Sequence, residues 1–366
     1  MNFEKLHDYM MQAVPSKLIP GCDLIIYHKG EQVYREQFGT GDYLRSKPVD
    51  PNATYILYSC TKVITCAAVM HLIEEGKLGL DDPVANYLPA FAEVTLKDGS
   101  KPKTTMTVRH LFTMTGGLNY DRETPHILEL LNKDPNADTV AIANAIAKTP
   151  LSFEPGSHYQ YSLCHDVLAA VAEVVTGKSF EQYVREWSGY HVDFHFTDEN
   201  RRTLSPQFNA ISGEAVPMSQ SCSYILSPKH DSGGAGMITT AETYTRIISD
   251  ICCAKLLTRE SLELMTTNQL NPVALKEMHG AVTEHPYGYG LGVRTLMTPE
   301  FARFKAPVRE FGWGGAAGSY AVLDYERQLA VGYFQCVLNR PADAPNIYRE
   351  IRNLAYECLG YTFGEE

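Results

Sequence analysis

The chain has 366 residues, enough for one large folded unit or two packed ones. Hydrophobic residues at 44% and charged residues at 20% match an ordinary globular protein and exclude a disordered chain. The formal charge of −11, from 43 acidic against 32 basic residues with no lysine- or arginine-rich stripe, argues against a nucleic-acid partner.

The first ten residues mix charged and apolar side chains at helical spacing and hold no apolar core of a signal peptide. No run of about 18 apolar residues follows, so no membrane span is expected. Nine cysteines (Cys22, Cys60, Cys66, Cys164, Cys222, Cys252, Cys253, Cys336 and Cys358) contain no Cys-x-x-Cys spacing. They signal neither a disulfide framework nor a structural zinc site, and reduced thiols fit a cytoplasmic location.

In chain order, Phe3, Leu6, Met10 and Ala13 predict one face of an opening helix. Asp23 to Tyr27, Lys29-Gly30-Glu31 and Val33 to Phe38 predict a β-hairpin. Val63, Ile64, Ala67 and Leu72 predict an amphipathic helix that starts near Ser59 and stops at Gly76. Residues 80 to 222 read as helices and loops, including Val167, Leu168, Val171 and Val175 before Gly177, then a capping box from Ser179 to Gln182. Beyond Gly236 come a helix opened by Thr239 to Glu242 and strands at Tyr320 to Asp324 and Leu329 to Phe334. A last helix carries Ile347, Ile351, Leu354, Ala355 and Cys358 on one face. Strands at both ends predict one discontinuous α/β domain, approximately 1–79 with 223–366, and a helical insertion at approximately 80–222 with the active site between them.

Three stretches carry chemistry. Ser59-Cys60-Thr61-Lys62 is a Ser-x-x-Lys motif, in which i and i+3 share a helix face and an ammonium can reach a hydroxyl. Such a pattern arises by chance on the order of once in a few hundred residues, and Ser100-Lys101-Pro102-Lys103 is a second copy. That copy lies in a polar turn with a proline, whereas Ser59 opens a long apolar helix and can offer its amide to an oxyanion. Tyr161, after the Pro155-Gly156 turn and before an apolar helix, becomes a proton shuttle if a nearby ammonium favours its phenolate. Among 22 tyrosines, a structural role is the default for any one alone. Phe311-Gly312-Trp313-Gly314-Gly315-Ala316-Ala317-Gly318 lets backbone approach a substrate, or forms only a tight bend. Its Gly-x-Gly-x-x-Ala spacing precedes a strand, which is wrong for a dinucleotide fingerprint.

Together with Leu78 to Val84, Val108 to Leu118, Gly234 to Met237 and Tyr287 to Gly292, these stretches resemble the serine β-lactamase and penicillin-binding-protein superfamily. The similarity is to its class C-like branch with the family VIII carboxylesterases and D-amino-acid peptidases. It implies an α+β fold, an antiparallel sheet flanked by helices with an inserted helical domain. It also implies Ser59 as acylated nucleophile, Lys62 as its partner, Tyr161 as general base, and the Ser59 and Ala316 amides as oxyanion hole. Trp313, Gly314, Gly315 and Leu163 would line the substrate site. Two departures favour ester over lactam: Tyr161-Ser162-Leu163 replaces Tyr-x-Asn, and Trp313 stands where lysine or histidine is usual. Trp313 is expected as a wall of the acyl pocket, its N–H resting on a neighbour, with no catalytic role.

His165-Asp166 and His230-Asp231 do not read as triads, because adjacent residues rarely point at each other and no Gly-x-Ser-x-Gly elbow occurs. Gly177-Lys178-Ser179 lacks the first glycine of a phosphate loop, and Cys252-Cys253 reads as core. The expected partner is a small ester or amide, with no metal or cofactor. A D-amino-acid peptidase or weak β-lactamase is the alternative, which an arginine such as Arg309 or Arg340 at the site would favour; a ligand-binding pseudoenzyme is the other.

Overall fold

The structure is a computed structural model that describes residues 1–16, 18–281, 286–298, 305–340 and 347–361. Helix α1 (Glu4–Ser16) leads into strands β1 (Gly21–His28) and β2 (Glu31–Gly39). They are joined by a two-residue turn in which Lys29 and Gly30 both have positive φ, the geometry that matches strand twist. Strand β3 (Thr54–Ile56) precedes a single 3-10 turn, Tyr58–Cys60, and α2 (Thr61–Glu74). The next helices are α3 (Val108–Phe112), α4 (Pro125–Lys133), α5 (Thr139–Ile146), α6 (Cys164–Thr176), α7 (Phe180–Ser188) and α8 (Asp198–Thr203). Short strands β4 (Phe208–Asn209) and β5 (Val216–Pro217) lead to β6 (Ile238–Thr240), α9 (Ala241–Cys252), α10 (Arg259–Met265) and α11 (Pro272–Ala281). The chain closes with β7 (Tyr287–Tyr289), β8 (Arg294–Leu296), β9 (Phe311–Gly314), β10 (Tyr320–Asp324), β11 (Leu329–Phe334), β12 (Val337–Leu338) and α12 (Ile347–Cys358).

Seven strands form one sheet in the order β2-β1-β11-β10-β9-β8-β7, antiparallel at every pairing. Period-two alternation divides β1 between two cores: Leu24 and Ile26 pack with α1 and α12, while Ile25 and Tyr27 face the other way. The second core runs without a break from that face through α2 and α9 into the helices of the middle segment. This is the α+β architecture expected.

Helix α2 departs from its sequence reading. It is not amphipathic, because every residue from Thr61 to Met70 is buried. It lies between the sheet side, β9 and α9, and the helices α6 and α7, so no face is left for water. Gly76 ends it as expected, in the left-handed conformation with Lys77 N–H bonded to the Leu72 carbonyl. Two capping expectations change. Ser179 caps α7 by accepting from Gln182 N–H, but the Gln182 amide turns to Glu186 instead of closing a box. Helix α9 is capped by Thr240, one residue later than expected, because Thr239 is held in β6 against Tyr55.

Candidate active site

Ser59 stands at the mouth of α2, on a turn that the backbone enters with strain. Tyr58 has φ +47, a conformation side-chain-bearing residues rarely adopt. Its ring is buried and its hydroxyl donates to Gln207 Oε1 at 2.9 Å, which holds the turn in place. The pairing of β3 with β6 brings residues 54–56 beside 238–240. That register sets the Gly234 loop against the first turn of α2.

Lys62 is fully buried, one turn beyond Ser59. Its Nζ donates to Ser59 Oγ at 3.2 Å and to the Gly234 carbonyl at 2.7 Å. The Tyr161 and Ser59 hydroxyls share a hydrogen bond of 2.7 Å, and Lys62 Nζ lies 4.6 Å from the centre of the Tyr161 ring. The structure thus brings Tyr161, 102 residues further along the chain, onto the Ser59–Lys62 pair.

Trp313 stacks on Tyr161 and rests its N–H on a neighbour, as expected. The neighbour that receives its indole N–H is the Tyr161 oxygen, at 3.2 Å, and the two rings stack at 12°. Tyr289 meets the indole edge-on from behind, 5.3 Å away. The β9 turn reaches the nucleophile because Gly315 has no side chain: a Cβ there would lie 2.4 Å from the Leu57 carbonyl oxygen. Ala316 is exposed at the tip of this turn, between Gly315 and the Ser319 carbonyl that accepts the Gly315 N–H. Gly314 is half-buried at the end of β9. Leu163 lies in the core at the start of α6 and, with Leu118, Ile127 and Ile146, lines a small cavity on that side.

Tyr120 was not singled out from sequence. Its ring lies 5.2 Å from that of Tyr161 and 5.6 Å from Lys62 Nζ, and it continues to Tyr224, over which the Arg122 guanidinium sits at 4.2 Å. Burial holds the Tyr120 phenol well above its usual pKa, so it stays neutral beside the ammonium. Among 22 tyrosines nothing local marked it.

Neither histidine pairs with the aspartate next to it in sequence. His230 Nε2 faces Asp166 at 3.9 Å, and His195 Nε2 faces Asp231 at 3.0 Å. His165 is buried against the Phe112 carbonyl, and burial drops its pKa to about 3. Arg309 donates to the Tyr325 hydroxyl, and Arg340 bonds Tyr348. Ser100 bonds Asp98 in an exposed turn. Among the described residues Glu181, His195 and Asp231 bring possible metal-ligating atoms within 4.8 Å of one another. His195 already serves both carboxylates as their cation, its pKa raised to about 9 against the cost of burial by those two partners.

Esterase EstB of Burkholderia gladioli is 30% identical to this chain over 352 residues, covering 87% of this chain and 86% of its own. Acyltransferase calJ of Penicillium decumbens is 28% identical over 388 residues, covering 94% and 91%. Among solved structures, EstCE1, described as a hydrolase with promiscuous acyltransferase activity, superposes with a TM-score of 0.82 at 25% identity, covering 97% of this chain and 98% of its own. A family model described as Beta-lactamase matches residues 4–356. The chain therefore belongs to the Beta-lactamase family and is a serine hydrolase.

Proposed function

We propose that the protein hydrolyses carboxylic esters through an acyl-enzyme on Ser59. The observation that carries this reading is the convergence on one oxygen: Tyr161 and Lys62 both bond Ser59 Oγ, and the Trp313 N–H bonds the Tyr161 oxygen. Ser59 Oγ attacks the ester carbonyl carbon while its proton passes to the Tyr161 phenolate. The Lys62 ammonium and the indole N–H stabilise negative charge on that oxygen. The Ser59 and Ala316 amides receive the developing oxyanion, each donor worth about 3 to 4 kcal/mol in such sites. Tyr161 then returns the proton to the leaving alcohol as the carbonyl re-forms, and water repeats the sequence in reverse to release the acid.

Trp313 in place of a cation supports an ester over a substrate that needs its carboxylate neutralised, and Gly314, Gly315 and Leu163 are assigned to the walls of the same cleft. The two-part division of the chain at about 79 and 223 belongs to this proposal, with the cleft at its seam. So does a cytoplasmic location: the nine cysteines are all free thiols, and among the described residues no helix is long and apolar enough to cross a membrane.

The test uses short p-nitrophenyl esters. Ser59→Ala is expected to abolish turnover, and Lys62→Ala or Tyr161→Phe to lower kcat by about 10²- to 10⁴-fold. Intact mass after treatment with a fluorophosphonate should show one adduct in the wild type and none in Ser59→Ala. Turnover of nitrocefin well above that of the esters would overturn the ester assignment. Product analysis with added alcohol separates hydrolysis from acyl transfer, the activity named for calJ.

A further inference from the structure

A buried ammonium needs a compensating charge, and none of the groups that Lys62 Nζ bonds carries one. Its two acceptors are a neutral hydroxyl and a backbone carbonyl, and desolvating an isolated cation is costly by several kcal/mol. The compensating charge stands one peptide further on. The Gly234–Ala235 peptide presents its carbonyl to Lys62 at 2.7 Å, and its N–H donates to Ser232 Oγ at 3.1 Å. Ser232 Oγ donates in turn to Asp166 Oδ1 at 2.6 Å, which also receives the Gly234 N–H at 3.4 Å. Asp166 and Ser232 are both buried. Hydrogen bonds in such a series polarise one another, so a carboxylate at one end strengthens the carbonyl at the other.

The loop has no slack. A Cβ on Gly234 would lie 2.5 Å from Asp166 Oδ2, and one on Gly233 would lie 2.4 Å from the His165 carbonyl oxygen. Thr65 Oγ1 donates to the Gly233 carbonyl at 2.7 Å, fastening the loop to α2 on the other side. Among the other titratable neighbours, Tyr161 donates its hydroxyl to Ser59 Oγ at rest and carries charge only in the reacting form. His230, 3.9 Å from Asp166, is kept neutral by burial, as is His165 on the same helix; Tyr120 stays a neutral phenol.

We propose that Asp166 and Ser232 are positioning residues for catalysis: through the Gly234–Ala235 peptide they hold the Lys62 ammonium between Ser59 and Tyr161 and set a buried carboxylate behind the carbonyl it bonds. This rests on the reading of Ser59 as nucleophile and Lys62 as its cation. The charge-neutral exchange Asp166→Asn removes the carboxylate at nearly constant volume, and Ser232→Ala breaks the series at its middle.

The experiment measures kcat and KM for a p-nitrophenyl ester from pH 5 to 10, per site titratable with fluorophosphonate, with Tm recorded for each variant. Asp166→Asn is expected to lower kcat at least about tenfold, as for loss of a charge-assisted hydrogen bond, with KM little changed. The pH dependence of kcat/KM is expected to change with it, whereas a loss of packing alone leaves that profile as it is. Ser232→Ala should lower kcat in the same direction, and it carries the test if Asp166→Asn does not fold. Variants that lose Tm yet keep the wild-type kcat per titrated site and the wild-type pH profile would overturn the proposal. Residual turnover in Ser59→Ala would instead overturn the reading of the nucleophile, whatever Asp166 does.

Discussion

At the Tyr161 oxygen the indole N–H of Trp313 is a donor held at 3.2 Å. A donor fixed on an oxygen that gains charge during the reaction stabilises that charge. Trp313→Phe keeps an aromatic ring for the stack on Tyr161 and removes only that N–H. It is expected to reduce kcat by roughly 10- to 100-fold, the range for a hydrogen bond to a charged group, and to alter the pH–rate profile. A pH profile identical to the wild type would show that the indole is a wall after all. Sequence reading identified Ser59, Lys62, Tyr161 and Trp313 because each sits in a short motif whose spacing has a chemical reason. It passed over Tyr120, Ser232 and the role of Asp166, since these act through contacts between segments and no local pattern distinguishes them.

One turn and one strand pair place the reacting groups. The β9 turn lies against residue 57 only because Gly315 lacks a side chain, and the Cys60 thiol resting on the Trp313 carbonyl at 3.6 Å marks the same close contact. Gly315→Ala would force its Cβ onto a backbone oxygen that cannot swing away, so the turn carrying Ala316 must retreat from Ser59. The expected loss in kcat/KM is about 10²-fold or more, comparable with loss of one oxyanion donor. Circular dichroism and Tm should stay near wild type, because the displaced turn is at the surface end of β9. Full activity in Gly315→Ala would separate Ala316 from the oxyanion site. Among the elements, hairpins and terminal helices were readable from period-two and period-3.6 patterns. The short strands β3, β6, β7 and β8 were not, because three residues are too few to show a period and their pairing partners lie far away in the chain.

At the scale of the molecule, the His195 cation joins Glu181 on α7 to Asp231 in the loop that leads to Ser232 and Gly234. Its pKa is raised from 6.5 to about 9 by those carboxylates, so the stability it contributes is fully present below about pH 6.5 and is lost as pH rises through about 9. Glu173, raised by burial from 4.5 to about 7, loses its share earlier, and the buried thiols raised above 9 begin to lose theirs near pH 9, so the difference between wild type and His195→Gln isolates the histidine. Tm is therefore expected to fall between pH 7.5 and 9.5 in the wild type, and His195→Gln should start lower and show a flatter slope over the same interval. A wild-type Tm that does not change across it would refute the assignment. The residue order alone sufficed for the hairpins and longer helices and for the Ser-x-x-Lys motif, because periodicity, glycine placement and helical spacing are local properties of the chain; the α+β fold class came with the likeness to an enzyme family that the motifs carry in combination. Residue order could not tell that α2 is buried on every side, that the Trp313 N–H reaches Tyr161, or that Asp166 meets His230 and Asp231 meets His195. Those depend on which distant segments become neighbours, and that is settled by strand register and by the packing of helices on both sides of α2.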